Sequence, residues 1–228
     1  MDYLYPPNCA GCNSFSYRFC PTCYQDIIPP RTLKCCPKCA NILNNNICHY
    51  CDTNQFVFES INSLGIYRSS LRRAVIRLKF FRDLGLGDEF APGLYQLLSS
   101  SGWQIDLIIP VPISPKRRIE RGYNQADVIA FPLALVSGIN YASKALLKIR
   151  EAHSQIGLSY LERLENMQDA FLAKPAMVRN KSILLVDDVI TTGATINSCA
   201  QALLTAGASH VYALSLAKTI LSTENSLA

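Results

Sequence analysis

The stretch Ile183-Leu184-Leu185-Val186-Asp187-Asp188, continued by Val189-Ile190-Thr191-Thr192-Gly193-Ala194-Thr195, constrains the fold more than any other part of the chain. Consecutive large aliphatics leave no polar face, so a strand made from them must be covered on both sides. That condition is met in a parallel sheet with helices on each face. The strand delivers two adjacent carboxylates to its carboxyl end, where open α/β sheets bind their ligands. A small, hydroxylated turn then leads into a helix that carries Ala200, Leu203 and Leu204 and stops at Gly207, a C′ residue. Backbone N–H groups at such a helix start attract anions. Thr191, Thr192 and Thr195 add hydroxyl donors, while Gly193 and Ala194 let the backbone come close. Asp187 and Asp188 would repel an anion unless they met hydroxyls or a cation. Ribose hydroxyls and Mg²⁺ answer both needs. The plainer alternative is a βα turn with a threonine cap and two solvated aspartates.

The rest of the chain from about Gln55 alternates in the same way. Ser69 and Ser70 are candidate caps for a helix in which Leu71, Val75 and Leu78 recur at helical spacing, with Arg72, Arg73, Arg77 and Lys79 on its other faces. Ile105 to Pro112 reads as a buried strand ending in a proline-constrained loop. A helix is expected from about Arg121 into Ala134, a weak helical stripe over 151–170, and a strand over Val211 to Ala217. Ser222 to Ala228 reads as a frayed tail.

Nine of the ten cysteines fall between Cys9 and Cys51. Cys9-x-x-Cys12 with Cys20-x-x-Cys23, and Cys36-x-x-Cys39 with Cys48-x-x-Cys51, are two four-thiolate sets of the kind that structural Zn²⁺ takes tetrahedrally. Sequential pairing is the expectation, and a cross-braced pairing stays open. Cys35 could replace Cys36 in register, and His49 is a further candidate ligand. Cys199 reads as a small buried hydrophobe. Tyr17, Arg18 and Phe19, between the two Cys-x-x-Cys pairs of the first set, either pack the loop or stack on single-stranded bases. This segment, 1–53, is expected to be a double zinc-ribbon domain, with an α/β domain over 54–228.

Residues 61–125 hold ten Lys/Arg against five Asp/Glu, whereas 1–60 balance to zero. That imbalance suits a phosphate-rich substrate or a nucleic acid. The first residues lack the apolar core of a signal peptide, and no apolar run approaches the roughly 20 residues of a membrane span. A soluble, cytoplasmic protein without membrane insertion is expected.

After Pro110-Val111-Pro112 come Lys116, Arg117, Arg118 and Arg121, the last opening Arg121-Gly122-Tyr123-Asn124-Gln125. Such cations could clamp a pyrophosphate, since arginine meets phosphate oxygens bidentately; a solvated basic helix start is the alternative. Leu185 to Thr195 closely resembles the signature with which type I phosphoribosyltransferases bind 5-phosphoribosyl-1-pyrophosphate (PRPP). Arg121 to Gln125, Leu78-Lys79-Phe80 and the spaced set Arg150, Gln155, Leu158, Arg163, Asn166 and Phe171 resemble the ComF/GntX family of phosphoribosyltransferase-like proteins, as do the paired cysteine knuckles.

The resemblance implies a type I phosphoribosyltransferase-like parallel sheet with helices on both faces. It places Asp187 and Asp188 against the ribose hydroxyls and Thr191 to Thr195 around the 5′-phosphate. Arg150, Gln155, Arg163 and Asn166 would lie in a cover that excludes water from the reacting centre; a surface helix held by local pairs is the other reading of Arg163 and Asn166. The implied functions are Mg²⁺-dependent phosphoribosyl transfer to an unidentified acceptor, or binding of single-stranded DNA without catalysis, in either case beside other proteins of the competence and DNA-uptake machinery.

Overall fold

A computed structural model describes residues 6–150 and 170–220 of the 228. Five strands form a wholly parallel sheet in the order β1-β7-β6-β2-β3. They are β1 (Ile61–Ile66), β2 (Leu107–Pro110), β3 (Asn140–Tyr141), β6 (Ser182–Ile190) and β7 (His210–Lys218). The aliphatic strand read from the sequence is β6, and it lies at the centre as its lack of a polar face demands. Its register runs on through Asp187, opposite Ser215, to Ile190, opposite Lys218. The two acids therefore sit within the last part of the strand, not beyond it.

Alternation along β6 feeds two separate cores. Ile183 and Leu185 pack on one face with α8 (Ala194–Thr205), through Ile196, Cys199, Ala200 and Leu203. Leu184 and Val186 pack on the other with α3 (Ser69–Phe80), α4 (Leu86–Ser99) and α6 (Gln125–Ser137). Each face also holds one four-cysteine knuckle, the first running from Cys9 to Cys23 and the second from Cys36 to Cys51. Cys9, Cys20 and Cys23 join the α3/α4/α6 side, with the short α1 (Pro21–Gln25). Cys36 and Cys39 join the α8 side with Phe56 and Phe58, next to α2 (His49–Asn54). Both knuckles thus supply core to a sheet whose helical cover alone is uneven. β4 (Leu146–Lys148) and β5 (Phe171–Ala173) pair antiparallel on the α8 side, and α7 (Pro175–Val178) leads back to β6.

Two local expectations are revised. Ser69 and Ser70 lie inside α3 and do not cap it with their side chains. The Ser70 N–H instead donates to Asp26 Oδ2 at 3.0 Å, and Ser70 Oγ donates to the Cys23 carbonyl at 3.0 Å, so the first knuckle caps the helix from outside. The helix expected from about Arg121 into Ala134 is α6, which starts at Gln125, and a separate short helix, α5 (Pro115–Arg121), precedes it. Gly122 separates them at φ +81°, a left-handed conformation that ends α5, and Asn124 caps α6 by accepting from the Ala126 N–H at 3.1 Å. The helical stripe expected over 151–170 and the tail beyond Ser222 lie essentially outside the described residues.

Candidate functional site

The carboxyl ends of β2 and β6 are neighbours: Pro110 is paired with Val186, and the Val111 N–H donates to the Val186 carbonyl at 2.8 Å. Whatever follows these strands is therefore gathered at one crevice. From β6 come Asp187, Asp188 and the turn Thr191-Thr192-Gly193. From β2 come the Pro112 loop and α5.

The adjacent acids are not equivalent. Alternation puts Asp188 on the α3 side, where its buried carboxylate has Oδ2 3.0 Å from Lys79 Nζ. Apart from that ion pair, Oδ2 is buried without a hydrogen-bond partner among the described residues and so keeps unused acceptor capacity. Asp188 Oδ1 accepts from the Val189 N–H at 2.8 Å. Asp187 lies on the α8 side and accepts from the Asp188 N–H at 2.8 Å. Desolvation at the crowded strand end, and then the charge of Asp188, push the Asp187 carboxyl well above the usual carboxylate range. Asp187 nevertheless keeps some surface open to solvent. A cation or hydroxyls arriving from that side would relieve the strain on both charges.

The turn itself leaves its hydroxyls at the surface and opens a helix on a glycine. Gly193 stands at φ +82° as the N-cap of α8, a conformation that favours glycine, and no side chain caps the helix from that position. Thr192 Oγ1 accepts from the Ala194 N–H at 3.3 Å, and Thr191, Thr192 and Thr195 are exposed.

The basic residues take separate places. Ser114 caps α5, accepting from the Arg117 N–H at 3.3 Å, and Lys116, Arg117 and Arg118 stand exposed along it. Arg118 is 3.7 Å from Asp127. Arg121 donates to Gln125 Oε1 at 2.8 Å and lies over the Phe80 ring at 5.6 Å. Tyr123 donates to the Leu78 carbonyl, and Asn124 Nδ2 to the Val111 carbonyl at 3.0 Å. The segments Leu78-Lys79-Phe80 and Arg121 to Gln125 thus interlock, with Lys79 reaching Asp188. Gln125 Nε2 is buried without a hydrogen-bond partner among the described residues, a donor held in reserve.

Of the expected cover, Gln155, Leu158, Arg163 and Asn166 lie outside the described residues, while Arg150 and Phe171 flank them at the open end of the β4–β5 pair.

The cysteines converge as two sequential sets. The ligand atoms of Cys9, Cys12, Cys20 and Cys23 lie within 4.8 Å of one another, as do those of Cys36, Cys39, Cys48 and Cys51. Gly11 and Cys20 each donate a backbone N–H to Cys9 Sγ at 3.3 Å, the support a thiolate ligand requires. Both sets fit zinc and leave no protein position open for catalysis. Cys35 is excluded from its set, being bridged through its backbone to Ile42, and His49 is likewise outside. Cys199 is fully buried, as expected. Phe19 is buried edge-on against Tyr24 and Phe90, and Arg18 pairs with Asp83, so that part of the loop packs; Tyr17 is exposed.

Sequence reasoning missed Lys218. This lysine is 1% exposed at the end of β7, and its ammonium donates to the carbonyls of Thr191 (2.7 Å) and Thr219 (2.6 Å) and to Asn41 Oδ1 (3.0 Å). Burial pulls its pKa down to about 8, against the opposing field of Cys39 and Cys35. The one signal in the sequence is a lysine closing an apolar run. Lys79 was visible within a motif but carried no assigned role.

A family model described as phosphoribosyl transferase domain matches residues 94–226. DNA utilization protein YhgH of Salmonella typhimurium is 34% identical over 173 residues, 72% of this chain and 74% of its own. Competence protein F of Haemophilus influenzae is 29% identical over 180 residues, covering 75% and 78%, and competence protein ComFC of Streptococcus pneumoniae is 30% identical over 185 residues, covering 80% of each. Together with the parallel sheet, the strand–turn–helix crevice and the two cysteine sets, these matches show that the chain belongs to the ComF/YhgH family of phosphoribosyltransferase-fold proteins.

Proposed function

We infer that the crevice at the ends of β2 and β6 binds PRPP or a closely similar ribose 5-phosphate ligand. The observation that carries this is the turn from Thr191 to Thr195, which opens α8 without a side-chain cap from Gly193, directly after a strand ending in two crowded carboxylates. The 5′-phosphate takes the backbone N–H groups and threonine hydroxyls, and Asp187 and Asp188 accept from ribose hydroxyls. Lys116, Arg117, Arg118 and Arg121, with the unpartnered Gln125 Nε2, face the pyrophosphate side of the ligand.

An oxygen-only donor set with excess negative charge suits a hard divalent cation. Mg²⁺ would be held by Asp187, Asp188 and the ligand's own oxygens, and when bound it would spread the charge of a departing pyrophosphate. This chain's part in transfer is positioning and electrostatic, so no protein nucleophile is needed. Arg150, Gln155, Arg163 and Asn166 would close over the ligand, and the acceptor is an unidentified nucleophile.

The names of the relatives favour a setting in competence and DNA utilization. A second reading, single-stranded DNA binding on the same fold, is favoured by a specific surface. Phe80 and Phe81 are 66% and 71% exposed at the end of α3, Arg121 of the cationic α5 lies over the Phe80 ring, and base stacking uses such platforms.

Isothermal titration with PRPP and Mg²⁺ should show binding that is lost in the Asp187→Ala/Asp188→Ala double variant, with zinc content intact. Absence of heat from the folded protein would end the first reading. Fluorescence anisotropy with single-stranded oligonucleotides should give affinity that falls steeply with salt. Competition by PRPP distinguishes one shared site from two, and binding that ignores salt counts against the second reading.

A further inference from the structure

Trans peptide geometry links what a carbonyl does on one side of a turn to what the next N–H does on the other. In the turn after β6, the Thr191 carbonyl accepts from Lys218 Nζ at 2.7 Å, and the Thr192 carbonyl accepts from Tyr50 Oη at 3.0 Å. The N–H groups of Thr192 and Gly193, on the far side of the same two peptides, are thereby turned away from both donors. Neither has an acceptor among the described residues. Two carbonyls pinned behind the turn hold two donors in front of it.

Both pins are anchored to the second cysteine knuckle. Tyr50 lies between Cys48 and Cys51. Lys218 Nζ also donates to Asn41 Oδ1 at 3.0 Å, two residues beyond Cys39. Behind them, the Phe56 ring sits 5.7 Å from that of Tyr50, and its atoms come within 3.7 Å of where a side chain at Gly193 would begin. The Val57 N–H donates to Asn197 Oδ1 at 2.8 Å, which ties the first turn of α8 to the same segment. Charge agrees with geometry. The three acceptors of Lys218 are neutral oxygens, and four thiolates holding one divalent ion would carry a net charge of −2, which would give the buried ammonium a counter-charge on the knuckle. The contacts of the first knuckle run elsewhere, from Cys23 to Ser70 of α3 and from Phe19 to Phe90 of α4.

We propose that Lys218 and Tyr50 are positioning residues through which the second cysteine knuckle sets the anion-binding geometry of Thr191 to Gly193. The proposal rests on the reading that this turn holds a phosphate. It assigns the second knuckle a role in ligand binding beyond supplying core, and it assigns none to the first.

Tyr50→Phe is the cleanest test, because it keeps the ring against Phe56 and removes one hydroxyl. Amide hydrogen exchange over 190–197 in the ligand-free protein should be several-fold faster in Tyr50→Phe, and faster still in Lys218→Met. Ser70→Ala, which breaks the corresponding contact of the first knuckle, should leave that segment unchanged. PRPP affinity should fall about two- to tenfold in Tyr50→Phe, the value of one hydrogen bond, while zinc content and the midpoint of urea unfolding stay close to wild type. Unchanged exchange in Tyr50→Phe overturns the proposal, as does an equal effect of Ser70→Ala, and so does wild-type PRPP affinity in a variant whose turn has loosened. If the wild type binds no PRPP, the ligand reading falls, and the exchange comparison still decides whether these residues position the turn.

Discussion

Lys79 Nζ on α3 lies 3.0 Å from Asp188 Oδ2 on β6, so the helix that begins at the first cysteine knuckle reaches the candidate ligand site through one ion contact. The aspartate is the more enclosed partner, with 9% of its side chain exposed against 23% for the lysine. Removing the lysine therefore leaves a charge in a place water serves poorly.

Lys79→Met should lower the free energy of unfolding by about 1–3 kcal/mol, the cost of an enclosed polar group left unpaired. Urea unfolding at neutral pH checks this. Adding Asp188→Asn should recover most of the loss, because no charge then remains to be stranded. An unchanged midpoint in Lys79→Met would mean that water already serves Asp188.

Asp187 has a definite sign of pH dependence. Its carboxyl is raised above the ordinary range by desolvation and by Asp188, so the folded state holds its proton more tightly than the unfolded chain does. Stability from this group is then full below the ordinary aspartate range and is lost as pH rises through the raised value. Asp187→Asn should raise the melting temperature by a few degrees at neutral pH, with the gain vanishing under acid conditions. The same variant should bind PRPP more weakly, since a carboxylate oxygen becomes an amide nitrogen. A melting temperature that does not change at any pH would refute the crowding argument.

The cysteine register makes a stoichiometric prediction. Metal analysis should find two zinc ions per chain in the wild type and in Cys35→Ser, and one in Cys36→Ser, because Cys36 and not Cys35 lies in the set. Loss of zinc in Cys35→Ser would reverse the assignment.

Phe19 and Tyr17 separate packing from stacking. Phe19 is 2% exposed, with ring centroids 4.9 Å from Tyr24 and 5.0 Å from Phe90. Phe19→Ala should cost about 3–5 kcal/mol. Tyr17→Ala should stay within about 0.5 kcal/mol. If Tyr17→Ala weakens oligonucleotide binding at unchanged stability, the exposed ring joins the nucleic-acid surface.

Much of this protein is written locally and can be read without coordinates. Ile183 to Val186 demanded cover on both faces, and β6 is the middle strand of a parallel sheet. The Cys-x-x-Cys spacings announced two sets, since two thiolates three positions apart on a tight turn fill half of a tetrahedral zinc shell and need a second such pair. The turn from Thr191 to Thr195 was legible for the same reason: its φ requirement, small residues and hydroxyls all lie within a few positions. The short helix α5 was not legible, because Pro115 to Arg121 holds one aliphatic residue, Ile119, and buries none of its positions.

What the tertiary structure decided involves partners far apart in the chain. Strand alternation sends Asp187 and Asp188 to opposite faces, but only the placement of α3 puts Lys79 against one of them. Capping of α3 by Asp26, and not by its own serines, depends on the first knuckle docking at that helix start. Lys218 looked like an ordinary strand-end lysine until β7 paired with β6 and the second knuckle closed over it. Spacing along the chain determines which residues can share a turn or an ion. Which charge is buried against which carbonyl depends on how sheet, helices and knuckles pack together, and no local pattern encodes that.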